Sequence, residues 1–175
     1  MRLSRRRLLG GCLSGCALAL AGCTGDNAGN GDGDGGPTGG DPNLQAGDRY
    51  LNSSFPMEVY DPETDDRLTQ IHWHGELSNS HWHQQPLAVP LGRWGAYEMR
   101  PLDQSGSMIR LGEDRPLQLA MARSEETPAD LLQHEISGNA IDIRGQNSGN
   151  GQYAFRLLDG DTVEWRSPLL LVNVR

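Results

Sequence analysis

Residues 153–165 read Tyr-Ala-Phe-Arg-Leu-Leu-Asp-Gly-Asp-Thr-Val-Glu-Trp. Apolar side chains recur at every second position on both sides of the central Asp-Gly pair: Tyr153, Phe155, Leu157, Val163 and Trp165. Because successive side chains of a β-strand point to opposite faces, each arm presents one apolar face and one polar face. The glycine supplies the positive φ that a tight turn requires. The stretch therefore predicts two antiparallel strands joined by a hairpin.

The same alternation marks residues 55–59, 117–121 and 141–143, and a nearly continuous apolar run covers residues 169–174. Turn-forming pairs and triplets separate these runs: Ser105-Gly106, Ser137-Gly138-Asn139 and Asn150-Gly151. The best helical candidate, residues 128–135, is two turns at most. Short strands with such turns between them predict an all-β domain over residues 48–175, an antiparallel immunoglobulin-like β-sandwich.

The N-terminus has the pattern of an export signal. Arginines precede an apolar stretch of small residues that runs to residue 22, and this stretch is too short and too rich in glycine for a spanning helix. Arg5 and Arg6 fit a twin-arginine export motif, and the Leu-Ala-Gly-Cys run ending at Cys23 fits the lipobox that precedes a lipidated cysteine. Residues 1–22 are therefore predicted to be a signal peptide. The mature protein is expected at the outer face of the cytoplasmic membrane, with the membrane as its partner through the lipid on Cys23.

Residues 23–47 are predicted to be a lipidated cysteine followed by a flexible linker. Nine of the residues from 24 to 47 are glycine, and few apolar side chains are available to order the segment. As a coil it would span roughly 25–30 Å, which would hold the domain clear of the lipid. Asn52-Ser53-Ser54, just beyond it, matches an N-glycosylation acceptor pattern at Asn52.

Charge and cysteine usage narrow the habitat and the chemistry. No lysine is present, and the mature chain would carry eleven arginines against 23 acidic residues. Such a surface suits molar salt, where the screening length falls to ~3 Å, and favours a halophilic archaeon over an ordinary acidic secreted protein. It disfavours nucleic acid as a partner. No cysteine follows Cys23, which excludes disulfides, thiolate zinc sites and blue-copper sites from the domain.

Two copies of His-Trp-His stand close together, at residues 72–74 and 81–83, and hold four of the five histidines. Residues i and i+2 of a strand share a face, so each copy projects two imidazoles together while the tryptophan turns toward the core. The six residues between the copies suit a hairpin, which would bring the pairs side by side. The pattern predicts a metal site formed by His72, His74, His81 and His83, with four ligands or with three and an open position. Imidazole does not by itself select among zinc, copper, nickel and iron.

A packing or protein-contact patch would explain the same tripeptides without a metal. His134 stands alone in the sequence and is a weaker candidate to complete the site. Imidazole binds metal in its neutral form, so the metal hypothesis predicts release as pH falls through ~6.

Two families resemble this segment. The Ile-His-Trp-His-Gly stretch at residues 71–75 is similar to the first copper-binding motif of laccase-type multicopper oxidases. Those enzymes also need a later His-Cys-His element, and the absence of any cysteine after Cys23 argues against an oxidase here.

Most of the domain resembles small haloarchaeal lipoproteins, exported by the twin-arginine route, that carry a His-Trp-His-Gly segment. The corresponding stretches here are residues 72–75 or 81–83, residues 87–92 and residues 159–174. The resemblance implies an immunoglobulin-like fold and transition-metal binding outside the cell, with zinc foremost. Where those relatives carry further histidines, this chain has Asp142 and Asp161. Either these carboxylates replace the missing ligands, or part of the site is lost.

These observations predict a membrane-tethered protein that binds zinc or copper as a reservoir or as a delivery protein for a metal-transport system. The alternative is a structural or interaction domain of the cell envelope that binds no metal. Nucleophile elbows, His-Glu-x-x-His helices and phosphate-binding loops are missing from the sequence, so an enzyme is not predicted.

Overall fold

The computed structural model describes residues 40–175. The predicted signal peptide, Arg5, Arg6, Cys23 and the linker up to residue 39 lie outside the described residues. The described residues belong to one compact unit. Among them, no helix is both long enough and apolar enough to cross a membrane.

The described chain contains thirteen strands and one short 3-10 turn, Pro42–Leu44. In chain order the strands are β1 Gln45–Ala46, β2 Arg49–Tyr50, β3 Met57–Tyr60, β4 Arg67–His72, β5 His81–Trp82, β6 Leu87–Val89, β7 Trp94–Pro101, β8 Gln118–Arg123, β9 Leu132–Ser137, β10 Ala140–Gly145, β11 Gly149–Asp159, β12 Thr162–Arg166 and β13 Leu170–Val174.

Two large sheets form the domain. The first has six strands in the order β5-β4-β3-β7-β10-β9, and every pair in it is antiparallel. The second is built around the long strand β11, which pairs with β8, β12 and β13. Strand β6 joins this sheet beside β13 in the one parallel pairing among the described strands. Strands β1 and β2 form a separate small ribbon.

A single hydrophobic core lies between the two sheets, as the apolar alternation of each strand requires. Both sheets contribute fully buried side chains to it: Met57, Val59, Ile71, Met99 and Ile141 from the first, and Phe155, Leu157, Leu170 and Val172 from the second. The predicted all-β antiparallel sandwich is confirmed. The hairpin predicted at residues 153–165 is also confirmed, with Gly160 at φ 55° between β11 and β12.

Two local predictions are wrong, and the best helical candidate takes another form. Residues 128–135 contain no helix, because Leu132–Ser137 is strand β9, paired to β10. Asn150-Gly151 is not a turn, since both residues lie within β11 and pair with β13. The folded domain also begins before residue 48: Leu44 and Ala46, placed in the flexible linker by the sequence, are buried in the core.

Candidate metal centre

The two His-Trp-His copies meet at one edge of the six-stranded sheet. Strand β4 ends at His72, strand β5 begins at His81, and the two strands pair antiparallel with Ile71 opposite Trp82 and His72 opposite His81. The chain leaves the sheet between them through a loop that includes Gly75, whose φ is 82°. The predicted hairpin is therefore present, and its register fixes which histidines face each other.

The tryptophans face inward and the histidines outward, as period-two alternation requires. Trp73 and Trp82 are 6% and 2% exposed. Each indole N–H has an acceptor: Trp82 Nε1 donates to the backbone oxygen of Pro168 at 2.9 Å, and Trp73 Nε1 donates to Asp41 Oδ2 at 3.0 Å. Two satisfied, buried indoles thus anchor the hairpin from beneath and leave the imidazoles on the outer face.

Four imidazole rings cluster on that face. The ring centroid of His72 lies 5.9 Å from that of His81 and 5.2 Å from that of His83. The His81 and His83 rings are stacked, with 5.0 Å between their centroids. His72, His81 and His83 each offer a ring nitrogen, and these nitrogens all lie within 4.8 Å of one another. His81 is exposed, while His72 and His83 are partly buried. This triad could hold a metal ion.

His74 stands beside the triad but is not part of it. Its ring centroid lies 4.2 Å from that of His72 and 5.3 Å from that of His81, yet its nitrogens fall outside the converging group. The reason is that β4 ends at His72, so His74 already belongs to the loop and has no partner strand to fix its direction. Of the two arrangements expected from the sequence, four converging imidazoles or three with an open position, the structure matches the second.

The spacing of the nitrogens shows how far the triad is preformed. A tetrahedral zinc ion with Zn–N bonds of about 2.0–2.1 Å would place its ligand nitrogens about 3.3–3.4 Å apart. The described nitrogens lie within 4.8 Å of one another, so they would have to approach by up to about 1.4 Å to reach that spacing. Three protein ligands leave the fourth tetrahedral position open to water or to another donor.

Backbone contacts hold the two strand ends in place. Thr69, fully buried, donates its hydroxyl proton to the backbone oxygen of His83, and the His83 backbone N–H donates to the Gln70 oxygen at 2.8 Å. In the loop, Ser80 Oγ accepts from the His74 N–H at 3.0 Å and donates to the Glu76 oxygen at 2.7 Å. The chain turns away directly after His83, at Gln84, whose φ is 56°.

The segment before residue 48 also supports the hairpin. Besides the bond from Trp73 to Asp41, the Asn43 side chain donates to the backbone oxygen of Gly75 at 3.0 Å. Asp41 additionally accepts from the Asn43 N–H and so starts the 3-10 turn. These residues fall in the predicted linker, because the glycine-rich sequence around them gives no sign of the short ordered stretch.

The weaker candidates lie elsewhere. His134 is on β9, at the opposite edge of the sheet, about 19 Å from β4 at four strand spacings. It also pairs with Ile143, whose side chain faces the core, so His134 points to the other side of the sheet from the triad, and burial lowers its pKa. Asp142 is on β10, three strand spacings from β4, and Asp161 lies in the turn of the second sheet. The structure brings none of the three into the converging group of ring nitrogens.

Asn52, the glycosylation candidate, already uses its side-chain oxygen within the fold. Its Oδ1 accepts the backbone N–H groups of Ser54 and Phe55 at 3.0 and 2.9 Å. The side chain is only partly exposed.

No family model matches this chain, and none of the curated proteins matches it. Among solved structures, it is similar to domains 4 and 5 of the S-layer protein SbsC. That similarity covers 69% of this chain and 76% of the other, with a TM-score of 0.36 and 12% sequence identity.

Proposed function

We propose that this protein binds a divalent transition metal, zinc or copper, outside the cell through His72, His81 and His83. The observation that carries the proposal is the convergence of three ring nitrogens within 4.8 Å on one face of a hairpin. Neutral imidazoles satisfy zinc and copper alike, and the hairpin offers no thiolate to narrow the choice.

The exposure of the site suits a protein that exchanges its metal. Structural zinc sites are closed by four protein ligands, whereas three ligands with one exposed member leave room for an incoming donor. His81 faces solvent, so a receiving protein or chelator can approach the ion directly. A reservoir or delivery protein fits this arrangement, and a non-catalytic role is part of the proposal.

We further propose that export by the twin-arginine route and lipidation of Cys23 hold the domain at the outer face of the cytoplasmic membrane of a halophilic archaeon. Asp41, which contacts Trp73 beneath the triad, lies eighteen positions after Cys23, with seventeen residues between them. Even fully extended, this segment would keep this end of the domain within about 65 Å of the anchor. A metal-transport system in the same membrane would then lie within reach.

Calorimetric titration with zinc in molar salt tests the binding. For a four-ligand zinc peptide the binding free energy is about 10–16 kcal/mol, or roughly 3 kcal/mol per ligand. Replacing His72, His81 or His83 singly by Ala should therefore weaken zinc binding by about 100-fold. His74→Ala should weaken it much less, and His134→Ala, four strands away, should leave it unchanged.

The two control variants make the outcome specific. Equal losses in all four hairpin variants would show that the ligand set is not this triad. Zinc binding that is equally weak in the wild type and in the triad variants would rule out the metal site and leave an envelope domain without a ligand. Competition between zinc and copper at equal concentration then identifies the preferred ion. Copper(II) binds more tightly to most nitrogen sites, so occupancy by zinc under these conditions would show a preference set by this site.

A further inference from the structure

Gln70 occupies the fourth corner of a square on the outer face of β4 and β5. His72 lies opposite His81 in the pairing of the two strands. If the same register is followed two residues back from His72 and two residues forward from His81, Gln70 lies opposite His83. The hydrogen bond from the His83 N–H to the Gln70 oxygen confirms that this register continues past the end of β5. The other three corners of the square are the three triad histidines.

The side-chain oxygen of Gln70 is buried and, within residues 40–175, has no hydrogen-bond partner. A buried acceptor without a donor costs about 1–3 kcal/mol, so its retention at this position calls for a reason. Glu58 lies opposite Gln70 on the neighbouring strand β3. Its carboxylate does have donors, because Arg67 and Tyr60 donate to it at 2.9 and 3.1 Å.

A metal-bound imidazole would supply the missing donor. When one ring nitrogen binds an ion, the other carries a proton, and it usually donates to a carbonyl or carboxylate that fixes the ring. Directly opposed residues on antiparallel strands have Cβ atoms about 4.5–5.5 Å apart, so the Gln70 amide lies within reach of the His83 ring.

We propose that Gln70 is the positioning residue of the metal centre: its side-chain oxygen accepts the N–H of the metal-bound His83 ring and aims the other nitrogen at the ion. This inference rests on the proposed function, because it requires the ion at the triad.

Two substitutions of similar size separate positioning from packing. Gln70→Leu keeps the volume and removes the acceptor, and Gln70→Glu keeps an acceptor. We expect Gln70→Leu to weaken zinc binding by about 10- to 100-fold. We expect Gln70→Glu to bind within a few-fold of the wild type, and Gln133→Leu, an exposed glutamine on the same outer face of β9, to bind as the wild type does.

Stability and spectroscopy complete the test. Without metal, Gln70→Leu should be as stable as the wild type or more stable, because it removes a buried oxygen that lacks a donor. With saturating cobalt(II), the visible absorption of Gln70→Leu should match that of the wild type, since a positioning residue does not change the ligands.

Several results would overturn the inference. Unchanged zinc affinity in Gln70→Leu would do so while leaving the triad intact. A changed cobalt spectrum in Gln70→Leu would make Gln70 a ligand instead of a positioning residue. Weak zinc binding by Gln70→Glu, together with a destabilised metal-free Gln70→Leu protein, would make the role of Gln70 structural. A wild-type protein that binds no zinc would remove both this inference and the proposed function.

Discussion

Thr69 gives a sharp test of how the fold holds the third histidine. Strand β5 ends at Trp82; just beyond it, the His83 N–H still donates to the Gln70 oxygen, and the Thr69 hydroxyl donates to the backbone oxygen of His83. Thr69 is fully buried and His83 is partly buried, so water has poor access to this contact when the hydroxyl is removed. Thr69→Val keeps the shape of the side chain and suits a β-strand, which leaves the lost hydrogen bond as the main effect.

The expected cost follows from that single contact. Removing the donor of this partly buried carbonyl should lower the free energy of unfolding by about 1 kcal/mol. Without this hydrogen bond, His83 is held less firmly in the folded protein, and zinc binding must order it again. Each 1.4 kcal/mol that this ordering costs would weaken zinc affinity by about tenfold. We therefore expect a clear loss of stability and a loss of zinc affinity of about tenfold or less.

Urea denaturation of the metal-free protein and zinc titration measure the two quantities. Thr162→Val is the matched control, because Thr162 is exposed on β12 and makes no side-chain hydrogen bond to the described residues. It should change stability by no more than about 0.5 kcal/mol. If Thr69→Val proved as stable as this control, the hydroxyl would not be what holds the end of β5.

Two further predictions concern the domain that carries the site. Asp41→Ala removes the acceptor of the Trp73 indole, so we expect a loss of about 1–2 kcal/mol in urea unfolding that exposed Asp48→Ala does not show; equal effects would return this segment to the linker. Tyr97 donates to the Ala88 oxygen at 2.7 Å, and burial raises its pKa from 10 to about 12. Because the folded state keeps this proton after the unfolded state has lost it, stability should be full below pH 10 and fall as pH rises to 12. Tyr97→Phe should cost about 1 kcal/mol at pH 7 and decline less steeply above pH 10, and parallel pH profiles for the two proteins would contradict this.

The strands marked by clear alternation could be found from the sequence because that signal is local, whereas β7, Trp94–Pro101, was not predicted. Alternation along residues 153–165 specifies two half-buried strands and their turn without reference to the rest of the chain. The errors arose where a distant partner decides. Residues 132–135 contain three consecutive polar residues and so lack the alternation that marks a strand. Only their pairing with β10 makes them part of an edge strand. Asn150-Gly151 has turn chemistry, but β13 lies beside it and extends the strand.

For the candidate metal centre, the sequence by itself determined the face on which each histidine lies. Period two puts the tryptophans inward and the imidazoles outward whatever the surroundings, because it follows from backbone geometry alone. The tertiary structure decided which imidazoles meet. Cross-strand register pairs His72 with His81 and Gln70 with His83, ends β4 before His74, and leaves His134 on the far edge. Register depends on hydrogen bonds between segments that are separate in the chain, together with burial of both tryptophans in a core that the second sheet completes.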